Sequence, residues 1–399
     1  MKELLSKKFW IVMLVIAALV GSVVAVEAID KKSDKPTEQS AVATDSGGKT
    51  TEQVARSLYS RGRWLSDLMI LSGKADRQEN PTAQSIVEQA KSCGILSRYD
   101  DEDLSQPLDR RFVARTMVKA MGYKNRSVGY LADVSSLDSD LATMAYYGYF
   151  LPDVNFMMHP DALVTSTEYE ALLKELDRFR QLRGKTILSF GDSIMYGAGN
   201  GGEGIADMLA EKYGMTAADY AVSGAAIGIR EGRGHIRDQL KSAISDKVQP
   251  DVILLNGGTN DMNWLELGEI GTGFDMSQRE EEDFTGGLEK TFWSIKNTWK
   301  NVPVIFIRAH NMDWGDDLKE RLFGQQALQV AAKWGVRSVD LYSVLNTEDT
   351  DTAARYTFIN ADTENLADSI HPNAVGYAKF YLPAVAEKLI NETETRSKL

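Results

Sequence analysis

One cysteine, Cys93, in 399 residues excludes an intrachain disulfide, so the fold must be held by its core and its hydrogen bonds. Histidine is almost as scarce. His159, His235, His310 and His371 stand far apart, and none has the Cys/His spacing of a metal-binding motif. No metal site and no cofactor is therefore expected. Long basic runs are missing too: Lys+Arg 45 against Asp+Glu 57 gives a net charge of -12. A nucleic-acid footprint needs concentrated positive charge, and none is in prospect. The acidity is read as an aid to solubility. With 43% hydrophobic and 26% charged residues, wholesale disorder is excluded. The length favours two or more domains.

The one long apolar run lies at the start. Lys2, Lys7 and Lys8 precede an uncharged stretch from Phe9 to Val26, the grammar of an export signal. The run exceeds the roughly 7–15 residues of a usual signal core and approaches the roughly 20 that span a bilayer. Residues 1–29 are thus a signal peptide or a signal anchor, the anchor holding the chain to a membrane through 9–26. Either places the remainder outside the cytoplasm, membrane-anchored at the cell surface or secreted. Residues 30–50 are too polar to bury a core and read as a flexible linker.

From 51 to 182 the pattern is helical. Pro107-Leu108-Asp109-Arg110-Arg111-Phe112 opens an amphipathic helix to Met121, closed by Gly122. Val164-Thr165-Ser166-Thr167-Glu168 opens another, with Thr165 and Glu168 at capping-box spacing. The arrangement recurs at roughly 50 residues, which suggests two stacked helix–loop–helix units. At residues 80–178 it resembles S-layer homology repeats, and that resemblance implies cell-wall glycan as a partner of residues 51–182. The family's Thr-Arg-Ala-Glu segment is departed from here: Thr165-Ser166-Thr167-Glu168 has no arginine. A spacer or partner surface is the other reading.

Beyond Leu182-Arg183-Gly184 the alternation changes. Strands are expected at Thr186–Phe190, at a short run ending in Val222-Ser223-Gly224, at Asp251–Leu255, Val302–Ile307 and Val336–Leu341. Helices are expected near 203–213, 236–245, 281–299, 318–333 and 373–390. Short apolar strands separated by amphipathic helices predict a three-layer α/β/α domain with a parallel sheet over 183–399. In such sheets the chemistry gathers at the strands' carboxyl ends.

Four blocks sit there. Gly191-Asp192-Ser193 follows the first strand and places a serine on a tight turn before a helix, the position of a nucleophile. Ser223-Gly224 follows the second strand, and Gly257-Gly258-Thr259-Asn260-Asp261 the third. Asp368-Ser369-Ile370-His371-Pro372 precedes the last helix, and its spacing lets a carboxylate and an imidazole reach one site from a single loop. Together, in this order, the blocks resemble the SGNH (GDSL-type) hydrolases over residues 185–392. The resemblance implies that Ser193 attacks an ester carbonyl, His371 acts as base and Asp368 orients the imidazole. It further implies an oxyanion hole of the Ser193 amide, the Gly224 amide and the Asn260 side chain. A Cβ at 224 is expected to obstruct the oxyanion. Asp192 and Asp261 are expected to hold their loops, while Trp264, His310 and Trp314 are possible substrate contacts. His159 and His235 have no evident role.

The function expected is an exported serine esterase releasing acyl, preferably acetyl, groups from a carbohydrate. A lipase, thioesterase or acyltransferase with the same triad is an alternative, as is a non-catalytic cell-wall binding protein.

Overall fold

The computed structural model describes residues 59–397 apart from 130, 233, 314–315 and 361–365. The apolar run at 9–26, the linker at 30–50 and Trp314 therefore lie outside the described residues. Among the described residues no helix is long and apolar enough to cross a membrane.

Five short strands make the central sheet: β1 Thr186–Phe190, β2 Thr216–Asp219, β3 Val252–Asn256, β4 Val304–Arg308 and β5 Arg337–Asp340. Their order is β2-β1-β3-β4-β5, every pair parallel. β3 and β4 are buried along their whole length, which is why they read as unbroken apolar runs. Alternate residues feed opposite cores. Leu188, Phe190, Ile253, Leu255 and Phe306 enter one, while Ile187, Leu254, Ile305 and Ile307 enter the other. The first is closed by helices Ile236–Ser245, Phe284–Thr298 and Asp317–Lys333.

The second strand departs from expectation. It ends at Asp219, and Val222-Ser223-Gly224 belongs to the loop beyond. Even so, the Tyr220 and Val222 amides still donate to the Ser189 and Gly191 carbonyls, at 3.0 and 3.1 Å. The chain is thereby led along the end of β1 to Gly224. A two-stranded antiparallel hairpin, β6 Thr357–Asn360 with β7 Leu366–Pro372, was not expected. It carries Asp368 and His371, which the sequence placed in a plain loop.

In the helical half, helix starts at Arg61, Arg110 and Ser166 are N-capped by Ser60, Asp109 and Thr165. Thr165 and Glu168 form the anticipated capping box. Leu108 donates its amide to the Tyr59 carbonyl and Val164 to that of Leu108, so a third start at Ser60 joins the two expected units. The described residues fall in one compact unit, and one continuous core runs from Trp64 through Leu182 into Ile187 and Leu389. Polar groups tie the seam. Tyr123 donates to the Lys212 carbonyl at 2.7 Å, and Arg126 binds Glu203 at 2.8 Å. Lys212, only 2% exposed, meets Glu175 at 2.8 Å. Burial pushes the Glu175 carboxyl up, but the Lys212 ammonium and further donors overcome this and bring it to about 2.

Candidate active site

Ser193 begins a single helical turn, Ser193–Tyr196, at the carboxyl end of β1. Asp192 caps that turn, its Oδ1 accepting from the Ile194 amide at 2.9 Å. Gly197, left-handed at φ 86°, ends it. Two side chains from elsewhere in the chain fix the surroundings, and neither was flagged by the sequence. Gln239 grips the Gly191 peptide, accepting from its N–H at 2.9 Å and donating to its carbonyl at 2.8 Å. Tyr377 donates to the Ile194 carbonyl at 2.7 Å. Tyr377 and Tyr381 flank one π turn near the start of the last helix, a distortion that often marks functional sites.

The hairpin meets this turn closely. Gly199 approaches so near that a Cβ there would stand 2.5 Å from the Pro372 carbonyl oxygen. His371 Nε2 lies 2.9 Å from Ser193 Oγ. On the ring's other side, Nδ1 lies 2.6 Å from Asp368 Oδ2. Asp368 Oδ1 accepts from the Ile370 and His371 amides, both at 3.0 Å. Burial raises the Asp368 carboxyl, yet the hydrogen bonds from the His371 ring and these amides outweigh it and hold the group below its ordinary value. An ionised Asp368 keeps the proton of a neutral His371 on Nδ1, leaving Nε2 free to accept from the serine.

The Gly224 loop and the Asn260 block are bound to each other. Asn260 Nδ2 donates to the Ala225 carbonyl at 2.9 Å. Asp261, fully buried, accepts from the Ile227 and Gly228 amides at 3.1 and 2.8 Å. Gly224 sits at φ 80°, and a Cβ there would meet no protein atom within 4 Å. On the protein side, the left-handed backbone is what calls for glycine here.

Burial pushes Asp192 up to about 6 and Asp261 up to about 7, with Asp192 adding to the rise at Asp261. His310 corrects an expectation. It is fully buried, so it does not line a cleft. Its Nδ1 stands 2.7 Å from the Tyr381 hydroxyl, and burial drives the ring down to about 3, so it stays neutral. Trp264 is 42% exposed, with the Arg230 guanidinium 4.6 Å above its ring. His235 Nε2 accepts from the Arg230 amide at 2.9 Å, and His159 pairs with Asp153. Among the described residues no cluster of His, Cys, Asp or Glu suits a metal ion.

A hydroxyl, an imidazole and a carboxylate stand in series at the carboxyl edge of a parallel sheet, an arrangement whose chemistry suits a hydrolase. Which hydrolase follows from comparison with known proteins. The model of the GDSL-like lipase/acylhydrolase family matches residues 189–379. These residues belong to that family, and the protein is a carboxylic ester hydrolase.

No curated protein matches the chain. Among solved structures, a protein from Lactobacillus plantarum is similar at 22% identity, with TM-score 0.41, over 54% of this chain and 98% of that one. The lipase/acylhydrolase from Enterococcus faecalis is similar at 19% identity, with TM-score 0.34, over 53% and 96%. Axe2, an acetylxylan esterase from Geobacillus stearothermophilus, is similar at 18% identity, with TM-score 0.34, over 53% and 95%.

Proposed function

We propose that the protein hydrolyses acyl esters, preferentially acetyl esters of a carbohydrate, through Ser193, His371 and Asp368. The observation that carries this reading is the unbroken series Ser193 Oγ, His371 Nε2, His371 Nδ1, Asp368 Oδ2, at 2.9 and 2.6 Å. Ser193 Oγ attacks the ester carbonyl while its proton passes to His371 Nε2. The resulting oxyanion is met by the Ser193 and Gly224 amides and the Asn260 side chain. His371 returns the proton to the leaving alkoxide. Water, deprotonated by the same imidazole, then attacks the acyl-enzyme and releases the carboxylic acid and free Ser193.

Support for a carbohydrate is the polar, glycine-rich loop from Asn263 to Phe284 and the exposed Trp264 with its stacked Arg230. Planar side chains of this kind suit the apolar face of a sugar ring. The lysine-flanked run at 9–26 supports export with either a cleaved signal or a membrane anchor. Binding of wall glycan by the helical half rests on its repeat pattern alone.

Acetate release from O-acetylated glycans is expected to fall at least about 1,000-fold in Ser193→Ala. Undiminished release would overturn the nucleophile. On p-nitrophenyl esters of rising chain length, rates are expected to peak at acetyl. A peak at long chains would favour the lipase reading.

A further inference from the structure

Asp368 and His371 lie three residues apart on one strand, where side chains alternate between faces and positions i and i+3 point opposite ways. A regular β7 would therefore keep the carboxylate from the imidazole. Ser369 breaks the regularity. Its φ of 60° lies in the left-handed region, which residues other than glycine rarely enter. That turn lets Asp368 fold back onto both the His371 amide and the His371 ring. Strained backbone of this kind persists only when its surroundings hold it.

A hydroxyl holds the peptide that follows Ser369. Thr347, 1% exposed, lies beyond β5, and its Oγ1 is 2.6 Å from the Ser369 carbonyl oxygen. The same hydroxyl is 3.0 Å from the Asn311 carbonyl, but that oxygen already accepts the Thr347 amide at 2.9 Å. A hydroxyl has a single proton to give, and the shorter contact marks Ser369 as its recipient. The Thr347 segment is itself fixed to the chain after β4, where the Asn311 amide donates to the Leu345 carbonyl. The fully buried His310 backs the same loop.

We infer that Thr347, through its hydroxyl on the Ser369 carbonyl, is a positioning residue that holds Asp368 and His371 in working geometry. The inference rests on the triad proposed above. Thr347 touches no reacting atom; it acts through the Ser369 peptide.

The test compares Thr347→Val with Thr347→Ser in steady-state hydrolysis of p-nitrophenyl acetate, with thermal melting beside it. The valine variant keeps the shape and loses the hydroxyl, so kcat is expected to fall about 10- to 100-fold. KM is expected to change by less than about twofold, and the serine variant to restore kcat. A folded Thr347→Val with wild-type kcat, or a loss that serine does not repair, overturns the inference. If the valine variant does not fold, Ser369→Val and Ser369→Gly carry the question. Valine resists the left-handed region whereas glycine enters it freely, so the valine change should cost far more kcat. Equal losses overturn the inference. Undiminished activity in Ser193→Ala would instead remove the triad on which it stands.

Discussion

The two faces of the sheet are finished differently. One is sealed by three helices of the catalytic half, with Phe292, Leu288 and Phe323 packed over Phe306 and Leu255. The other is covered by helices at Ile205–Tyr213 and Leu382–Ser397, whose own core continues into the helical half. The closed face draws its core from residues between Leu188 and Val336 alone. The shared face shows that the helical half completes the enzyme's core. A spacer on a hinge would not need a buried lysine, a paired glutamate and two hydrogen-bonded tyrosines at its joint.

The most damaging way to test that contrast is to cut at the joint. A fragment of 183–399 loses the cover over its shared face, including Leu172, Leu176 and Leu182, and exposes a contiguous apolar surface. It is expected to aggregate or melt without a cooperative transition. A soluble, active fragment with wild-type melting would show that the two halves are independent.

A subtler blow is Lys212→Met. Removing one member of a buried ion pair leaves the other charge poorly compensated, at a typical cost of about 3–5 kcal/mol. Glu175 keeps the Arg178 and Tyr213 donors, so a value near about 3 kcal/mol is expected. Urea unfolding would measure it; a change below about 1 kcal/mol would mean the joint contributes little.

Smaller again are single-methyl deletions placed on opposite faces. Ile253→Val empties space in the closed core and Ile305→Val in the shared one, both side chains being fully buried. Each is expected to cost about 1 kcal/mol, and the costs should add within about 0.5 kcal/mol in one transition. Two separate transitions would divide the unit that the shared core unites.

The contrast between faces also explains what the sequence revealed. Strands buried on both sides carry apolar residues at every position, so Ile187–Phe190 and Val252–Leu255 were legible without a partner. Helix starts were legible where a cap stood alone before an apolar run, as at Thr165. The seam was not legible, because Tyr123, Lys212 and Glu175 are polar and ordinary one at a time; only the fold brings them together. Likewise Gln239 looked like any helix-surface amide, yet it grips Gly191. The site's four blocks were visible through resemblance and Asp368–His371 through spacing as well, but spacing alone hid the left-handed Ser369 that stands between those two.

The faint end of the scale lies at the carboxyl edge, where the faces meet over Asp192. Its pKa is raised on folding from an ordinary 3.8 to about 6 by burial, so the native state holds that proton more tightly than the unfolded chain. The stability it contributes is complete below the unfolded value of about 3.9 and is lost as pH rises through about 6. Asp261 acts in the same direction up to about 7. Asp368 has the opposite sign: its lowered pKa contributes above the unfolded value and that contribution is lost as pH falls through the folded one. Asparagine caps a helix as well as aspartate does, so Asp192→Asn should keep the turn under Ser193 while removing one titrating group. The expected result is a change of slope and not of fold: between pH 5 and pH 8 the variant's melting temperature should decline less than the wild type's. Superimposable slopes would mean that Asp192 is already charged throughout that window, and that the edge is wetter than its burial implies.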